Sequence, residues 1–182
     1  GTGLIQADGD GRFQLGKVNG RDCLIDPDGK PFLSLGVNHI QNVFQGESAL
    51  LGDHRQACED ILKRLTYWGY NTGGYGTPEP LCRMLPSFAP MYLTKNANYM
   101  SDEQFEYCDV FDPVVQQKMR EVIQYEIGKQ AGNSTLIGYY WTDTPQWDLE
   151  RARKKRGTDW VSMVRELPAG APGKARSEQF LA

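Results

Sequence analysis

Asp143 is a carboxylate set between two indoles, Trp141 and Trp147, in the stretch TLIGYYWTDTPQWD at residues 135–148. The front of that stretch, residues 136–141, is apolar and aromatic, the composition of a buried strand. Beyond it the chain turns polar at Thr142, Asp143 and Thr144. An acid held in an apolar pocket is favoured in its neutral form, which is what a proton donor needs. Three other places combine a strand pattern with polar or aromatic groups at its end: Asn38 with His39, Asn71 with Tyr75, and Lys95 with Asn96. Amides and carboxylates are bidentate partners for hydroxyls, and indole faces stack on C–H faces, so this set of side chains suits a carbohydrate. Singly, each residue also fits a plainer role. Trp141 reads more readily as core and Trp147 as a helix-packing residue, while Asp143 reads equally as the cap of a following helix and His39 as a residue that orients a neighbouring loop.

The elements that must hold these groups can be read from period and punctuation. Residues 1–12 form a Gly- and Asp-rich lead-in. Residues 13–18 and 21–25 flank Asn19-Gly20, a two-residue hairpin turn in which both positions need positive φ. Asp26-Pro27-Asp28-Gly29 is a second turn. Residues 31–37 form an apolar run expected to be one buried strand, followed by a loop. Asp53 then caps a helix over 54–68, with Ala57, Ile61, Leu62, Leu65 and Trp68 as its apolar stripe and Gly69 as its stop. A short strand at 70–72 leads into Gly73, Gly74 and Gly76 around Tyr75, where glycines let another group approach closely. A short helix at 80–84, a strand at 89–94 and a polar, aromatic loop at 98–110 follow. Asp112 and Pro113 start a long helix with Val114, Val115, Met119, Val122, Ile123 and Ile127 at helical spacing. The strand at 136–141 precedes helical segments from about 149, from about 161 and over 174–181.

Strands alternating strictly with helices imply a parallel sheet with right-handed crossovers. The expected class is α/β: a partial (β/α)8 TIM-barrel-like sheet of about four βα units, or an open doubly wound sheet, preceded by a small β-hairpin. The expected division is residues 1–30 for the hairpin element and 31–182 for the first half of a barrel. A whole barrel takes about 250 residues, more than the 182 present. Both architectures bind ligands at the C-terminal ends of the strands, where the groups above fall.

Composition narrows the partners. A formal charge of −3 argues against nucleic acid, whose phosphates demand clustered Lys and Arg. The one basic run, Arg151 to Arg156, also includes Ala152 and follows Glu150, as a solvated helix face does. No apolar run reaches the length of a membrane span. The chain opens on Gly1-Thr2-Gly3 without Met, which suggests a processed end. Cys23, Cys58, Cys82 and Cys108 contain no CxxC pair, and the histidines are His39 and His54 alone, so no zinc-ligand spacing and no cofactor is expected. Cys58 falls at an apolar helix position and reads as core. The glycines after residue 72 match neither phosphate-loop pattern.

Several segments, in this order, resemble the β-agarases of glycoside hydrolase family 50, in the clan A TIM-barrel glycosidases. Asp26-Pro27-Asp28-Gly29-Lys30-Pro31-Phe32 and the run to Asn38 resemble the approach to that family's first barrel strand. Trp68-Gly69-Tyr70-Asn71-Thr72 is similar to its second strand, Ala89-Pro90-Met91-Tyr92 to its third, and Val110-Phe111-Asp112-Pro113-Val114 to the helix after the third. Leu136 to Asp143 resembles its fourth strand, and Ala171-Pro172-Gly173-Lys174 also fits. The resemblance covers about residues 21–181. It implies a (β/α)8 barrel, a galactan-type polysaccharide substrate, a secreted or periplasmic location, and a retaining mechanism with two carboxyl groups about 5 Å apart.

The chain departs from the family at the proton donor. The family's fourth strand ends Asp-Asn-Glu, with the Glu as acid/base; the matching residues here are Asp143, Thr144 and Pro145. Proline exchanges no proton. The family's nucleophile lies near a seventh strand, beyond the four units read here. Asp143, or Glu79, is then the substitute acid, and Asn38, His39, Asn71, Tyr75, Lys95, Asn96, Trp141 and Trp147 are the expected substrate-binding groups. Two alternatives stand beside a hydrolase: a carbohydrate-binding barrel without catalysis, and a half-barrel that pairs with a second copy to cover its open sheet edges.

Overall fold

Asn19 and Gly20 both adopt positive φ, 51° and 77°, and so close the tight turn that their types demand. The computed structural model describes residues 5–6, 11–93, 108–141 and 148–182. Around that turn, β1 (Ile5–Gln6), β2 (Gln14–Val18), β3 (Arg21–Ile25) and β4 (Pro31–Phe32) form an antiparallel sheet in that order. Val18 pairs with Arg21 and Gln14 with Ile25, the register that a two-residue loop imposes. Phe13 meets Phe32 edge to face at 5.0 Å, and Ile25 is fully buried. In the second turn Asp26 Oδ1 accepts from the N–H groups of Asp28 and Lys30, and Gly29 takes φ 80°.

The run at 31–37 is not one strand. Pro31–Phe32 pairs antiparallel with β3, whereas β5 (Gly36–Val37) opens a separate parallel sheet. Between them the chain is held by a side chain instead of a ladder. Asn71 Nδ2 donates to Leu33 O, its Oδ1 accepts from Leu35 N–H, and its backbone N–H donates to Leu35 O. Leu33 is therefore 86% exposed despite its type.

A helix occupies the expected loop after His39. α1 (Ile40–Leu51) starts without a side-chain cap, because its N-cap, His39, sits in the left-handed region at φ 60°. Ile40 and Ser48 are the buried residues of this helix, and Ile40, Val43, Phe44, Leu50 and Leu51 recur at helical spacing. α2 (His54–Tyr67) has the expected start, with Asp53 Oδ1 accepting from the N–H groups of Arg55 and Gln56. Ala57, Cys58, Ile61 and Leu65 form its buried face. Trp68, expected in that stripe, is 62% exposed; it lies past the last helical residue, where the chain turns at Gly69 with φ 81°.

β6 (Thr72–Gly73) follows, then a 3-10 turn (Leu81–Arg83) in place of the short helix, and β7 (Ser87–Pro90), which begins two residues earlier than expected. α3 (Pro113–Lys129) has the expected start, with Asp112 Oδ1 accepting from Val114 N–H at 2.7 Å. No residue of α3 is fully buried: Val115, Met119, Val122 and Ile123 are half-buried, while Val114 and Ile127 are exposed. β8 (Leu136–Tyr140) is half-buried along its whole length rather than buried. β5, β6, β7 and β8 lie in that order in one parallel sheet. The α/β class, the four parallel strands and the small antiparallel element before them agree with a partial (β/α)8 barrel.

The chain divides into two compact units. The first, residues 1–90 with 130–140, contains both sheets, α1 and α2. Its core is Ile40, Cys58, Ile61, Leu65, Leu81 and Leu85, with Val37, Phe44, Leu62 and Tyr70 against it. The second, residues 91–129 with 141–182, contains α3 and three further helices: α4 (Leu149–Arg156), α5 (Trp160–Glu166) and α6 (Pro172–Leu181). α6 begins within the breaker expected at 168–173, because Pro172 serves as an early helical position. Asp109 ties this unit together: its Oδ1 accepts from Phe111 N–H and its Oδ2 from Gly173 N–H.

Asp159 is the buried acid of the second unit. Burial alone would raise its pKa. The Ser162 N–H, the Arg153 guanidinium at 2.5 Å, the Ser162 hydroxyl and the charge of Arg153 outweigh that and lower it to about 2. The folded value lies below the ordinary carboxylate value of about 3.9. Its contribution to stability is therefore complete above about pH 4 and is lost as pH falls through about 2. Amide exchange of α5 against pH should show this acid-induced loosening in the parent, and Asp159→Asn should remove most of its pH dependence between those limits. In the first unit, Ile61→Ala should cost about 2–5 kcal/mol in chemical denaturation, as a truncation in a closed core does.

Candidate functional site

The C-terminal ends of β5, β6 and β8 carry one connected cluster, all of it in the first unit. Past β5, Asn38 Oδ1 accepts from Tyr75 N–H at 2.9 Å, and His39 N–H donates to Tyr75 O at 2.7 Å. Past β6, the loop of Gly73, Gly74, Tyr75 and Gly76 returns Gly76 O to accept from Gln41 N–H at 3.0 Å. From β8, the Tyr140 hydroxyl oxygen accepts from Gly76 N–H at 3.4 Å. The rings follow the same path: His39 meets Tyr75 edge-on at 5.2 Å, and Tyr75 meets Tyr140 at 4.9 Å and 54°. Gln41 Nε2 lies 3.5 Å from His39 Nδ1.

The glycines make this possible by having no side chain. A Cβ on Gly74 would stand 2.0 Å from Asn38 Oδ1, and one on Gly76, already at φ 72°, would stand 2.2 Å from Gln41 Oε1. A Cβ on Gly73 would meet Thr77 Oγ1, which donates to Gly74 O at 2.8 Å. The groups that approach this loop closely are thus the side-chain amides of Asn38 and Gln41 and the side chain of Thr77. Gln41 Oε1 is buried and has no hydrogen-bond partner among the described residues. His39 and Asn19 are the described non-glycine residues at positive φ. Asn19 belongs to a hairpin turn, whereas His39 stands at a strand end that faces a cluster of aromatic rings. Strained backbone of this kind gathers where a side chain must be aimed.

The sequence-derived candidates fare differently. Asn38, His39 and Tyr75 come together. Asn71 stands before β6, not past it, and both ends of its amide are engaged with Leu33 and Leu35, so it secures the chain into β5. Trp141 follows β8 directly and is 68% exposed. Lys95, Asn96, Asp143 and Trp147 lie outside the described residues. Glu79 is exposed beside the 3-10 turn. Gln41 and Tyr140 were not among the candidates. Tyr140 could have been found from the alternation of Leu136, Gly138 and Tyr140 along one strand face; Gln41 could have been found by reading Ile40, Val43, Phe44, Leu50 and Leu51 as a helical stripe that places it in the first turn after His39. Burial pushes the thiols of Cys58 and Cys82 up, away from nucleophilic thiolate. Among the described residues no group of three His, Cys, Asp or Glu is placed to hold a metal.

No family model and no curated protein matches this sequence. Solved structures do match it. They include the crystal structure of an agarase, AgWH50C, with a TM-score of 0.64 at 15% identity over 98% of this chain and 36% of that one. They also include the crystal structure of BpGH50, with a TM-score of 0.67 at 14% identity over 99% of this chain and 43% of that one. The likeness is one of fold. It agrees with the resemblance carried by the strand motifs, and this chain spans less than half the length of either structure.

Gly76→Ala should destabilise the protein by about 1–3 kcal/mol, since a Cβ is strained at that φ and collides with Gln41. Gly46→Ala, mid-helix in α1 with no atom near the new Cβ, should instead stabilise it by about 0.5–1 kcal/mol. Denaturant midpoints of the two variants check both signs.

Proposed function

We propose that this chain is the first half of a glycoside hydrolase barrel that acts on the O-glycosidic bonds of a galactan-type polysaccharide. The observation that carries the reading is the fold likeness to an agarase over almost the whole chain. The cluster at the C-terminal ends of the parallel strands supports it, because amides, an imidazole and two phenol rings are what a sugar's hydroxyls and C–H faces need. On this reading residues 31–182 supply four of eight βα units. Asn38, His39 and Tyr75 face the glycan, and Lys95, Asn96, Trp141 and Trp147 are further proposed substrate-binding residues. Further strands close the edges at β5 and β8, from a longer polypeptide or from a second copy.

The proton donor is the point at which this reading is exposed to test. Asp143 is the acid nearest the position where the family resemblance leads one to look, and its carboxyl reaches one methylene less far than a glutamate would. Release of reducing ends from agaro-oligosaccharides measures it: Asp143→Asn should lower hydrolysis by about 100-fold or more, and unchanged hydrolysis removes Asp143 from the mechanism. A second reading, carbohydrate binding without catalysis, is favoured by one observation, Pro145 standing where the family holds its glutamate. Calorimetry with the same oligosaccharides separates the two, since heat of binding without product selects the second.

A further inference from the structure

The acceptor atoms at the end of β5 are already engaged by donors of the protein. Asn38 Oδ1 accepts from Tyr75 N–H. A backbone N–H only donates, so the orientation of the amide is determined, with its oxygen toward the loop and its NH2 group outward. His39 Nδ1 lies 3.5 Å from the Nε2 of Gln41; an NH2 at that place donates, whereas the same amide turned over would accept. With that NH2 turned toward the ring, Nδ1 is the unprotonated nitrogen and the proton of the neutral imidazole sits on Nε2. Both residues are exposed. His39 is also the N-cap of α1 and makes no side-chain cap bond, so the positive end of a twelve-residue helix lies behind the pair.

We propose that Asn38 and His39 form a donor pair, with Gln41 as the positioning residue that sets the imidazole tautomer, and that the pair selects glycan oxygens able only to accept, those of a sulfate ester or carboxylate, over hydroxyls. The selectivity rests on the carbohydrate reading above; the donor pair does not. A hydroxyl gains from donors and acceptors alike, whereas an anionic oxygen gains from donors only and forms shorter, stronger bonds with them. A site whose acceptors are turned inward therefore favours the anionic oxygen. Gln41 touches no ligand in this scheme and acts through His39.

Two measurements test it. Long-range ¹H–¹⁵N spectra at about pH 8, where histidine is neutral, report the tautomer directly, and His54→Gln assigns the pair of histidines. The parent should hold His39 as Nε2–H, and Gln41→Glu, whose carboxylate accepts, should draw the proton to Nδ1. A parent protonated at Nδ1, or a tautomer indifferent to Gln41→Glu, overturns the donor pair. Titration with sulfated and unsulfated galactan oligosaccharides of equal length should give about tenfold tighter binding of the sulfated form, and Asn38→Asp, which keeps the bond to Tyr75 N–H but removes the donor, should abolish the preference. Equal affinities in the parent overturn the selectivity. Binding of neither sugar overturns the carbohydrate function and the selectivity together, while the tautomer still decides the donor pair.

Discussion

Two asparagine side chains bracket the short junction of β5 and β6 in the parallel sheet. β5 and β6 are two residues long each, and two-residue strands offer few ladder bonds. Asn71 binds Leu33 and Leu35 before the strands begin, and Asn38 binds Tyr75 after they end. Each amide bonds backbone groups that a longer ladder would have paired, and backbone groups left unpaired on burial are costly. The antiparallel sheet before β5 and the loop after β6 both take their position from these clamps.

The same clamps explain why one asparagine belongs to the site and the other does not. Asn71 uses carbonyl and NH2 alike on the backbone of residues 33 and 35. Among the described residues Asn38 is bound through its side-chain oxygen alone. The difference comes from strand placement. The start of β6 at Thr72, two residues later than the 70–72 suggested by residue types, moves Asn71 from within the strand to just before it.

How much could be read from the sequence depended on whether a signal was local. The hairpin at Asn19-Gly20, the cap at Asp53, the start at Asp112 and the strand of Leu136 to Tyr140 each carry their cause within a few residues, and each forms. α1 lacks a start signal: its N-cap is a histidine in the left-handed region and Gly46 interrupts it, so that its apolar stripe of Ile40, Val43, Phe44, Leu50 and Leu51 stands without punctuation. Residues 31–37 misled because their apolar run is shared between two sheets, a division imposed by Asn71 from nearly forty positions away. In the site, Asn38, His39 and Tyr75 were legible as types at strand ends. The role of the glycines was legible only in part, since residue types revealed that something comes close to residues 73–76 but not that it would be Asn38, Gln41 and Thr77.

The bond from Gly76 to Tyr140 joins residues 64 apart in the chain, and this has a kinetic meaning. The hairpin turn, the helix caps and the α1–α2 core close short loops, whose entropic cost is small and soon repaid. Tyr140 arrives only after the chain from 91 to 129 has been traversed. The end of the sheet that carries the cluster is thus among the last parts of the first unit to acquire its final shape. A nascent chain that has emerged only through β7 already holds Asn38 against Tyr75, yet still lacks the phenol that completes the row of rings.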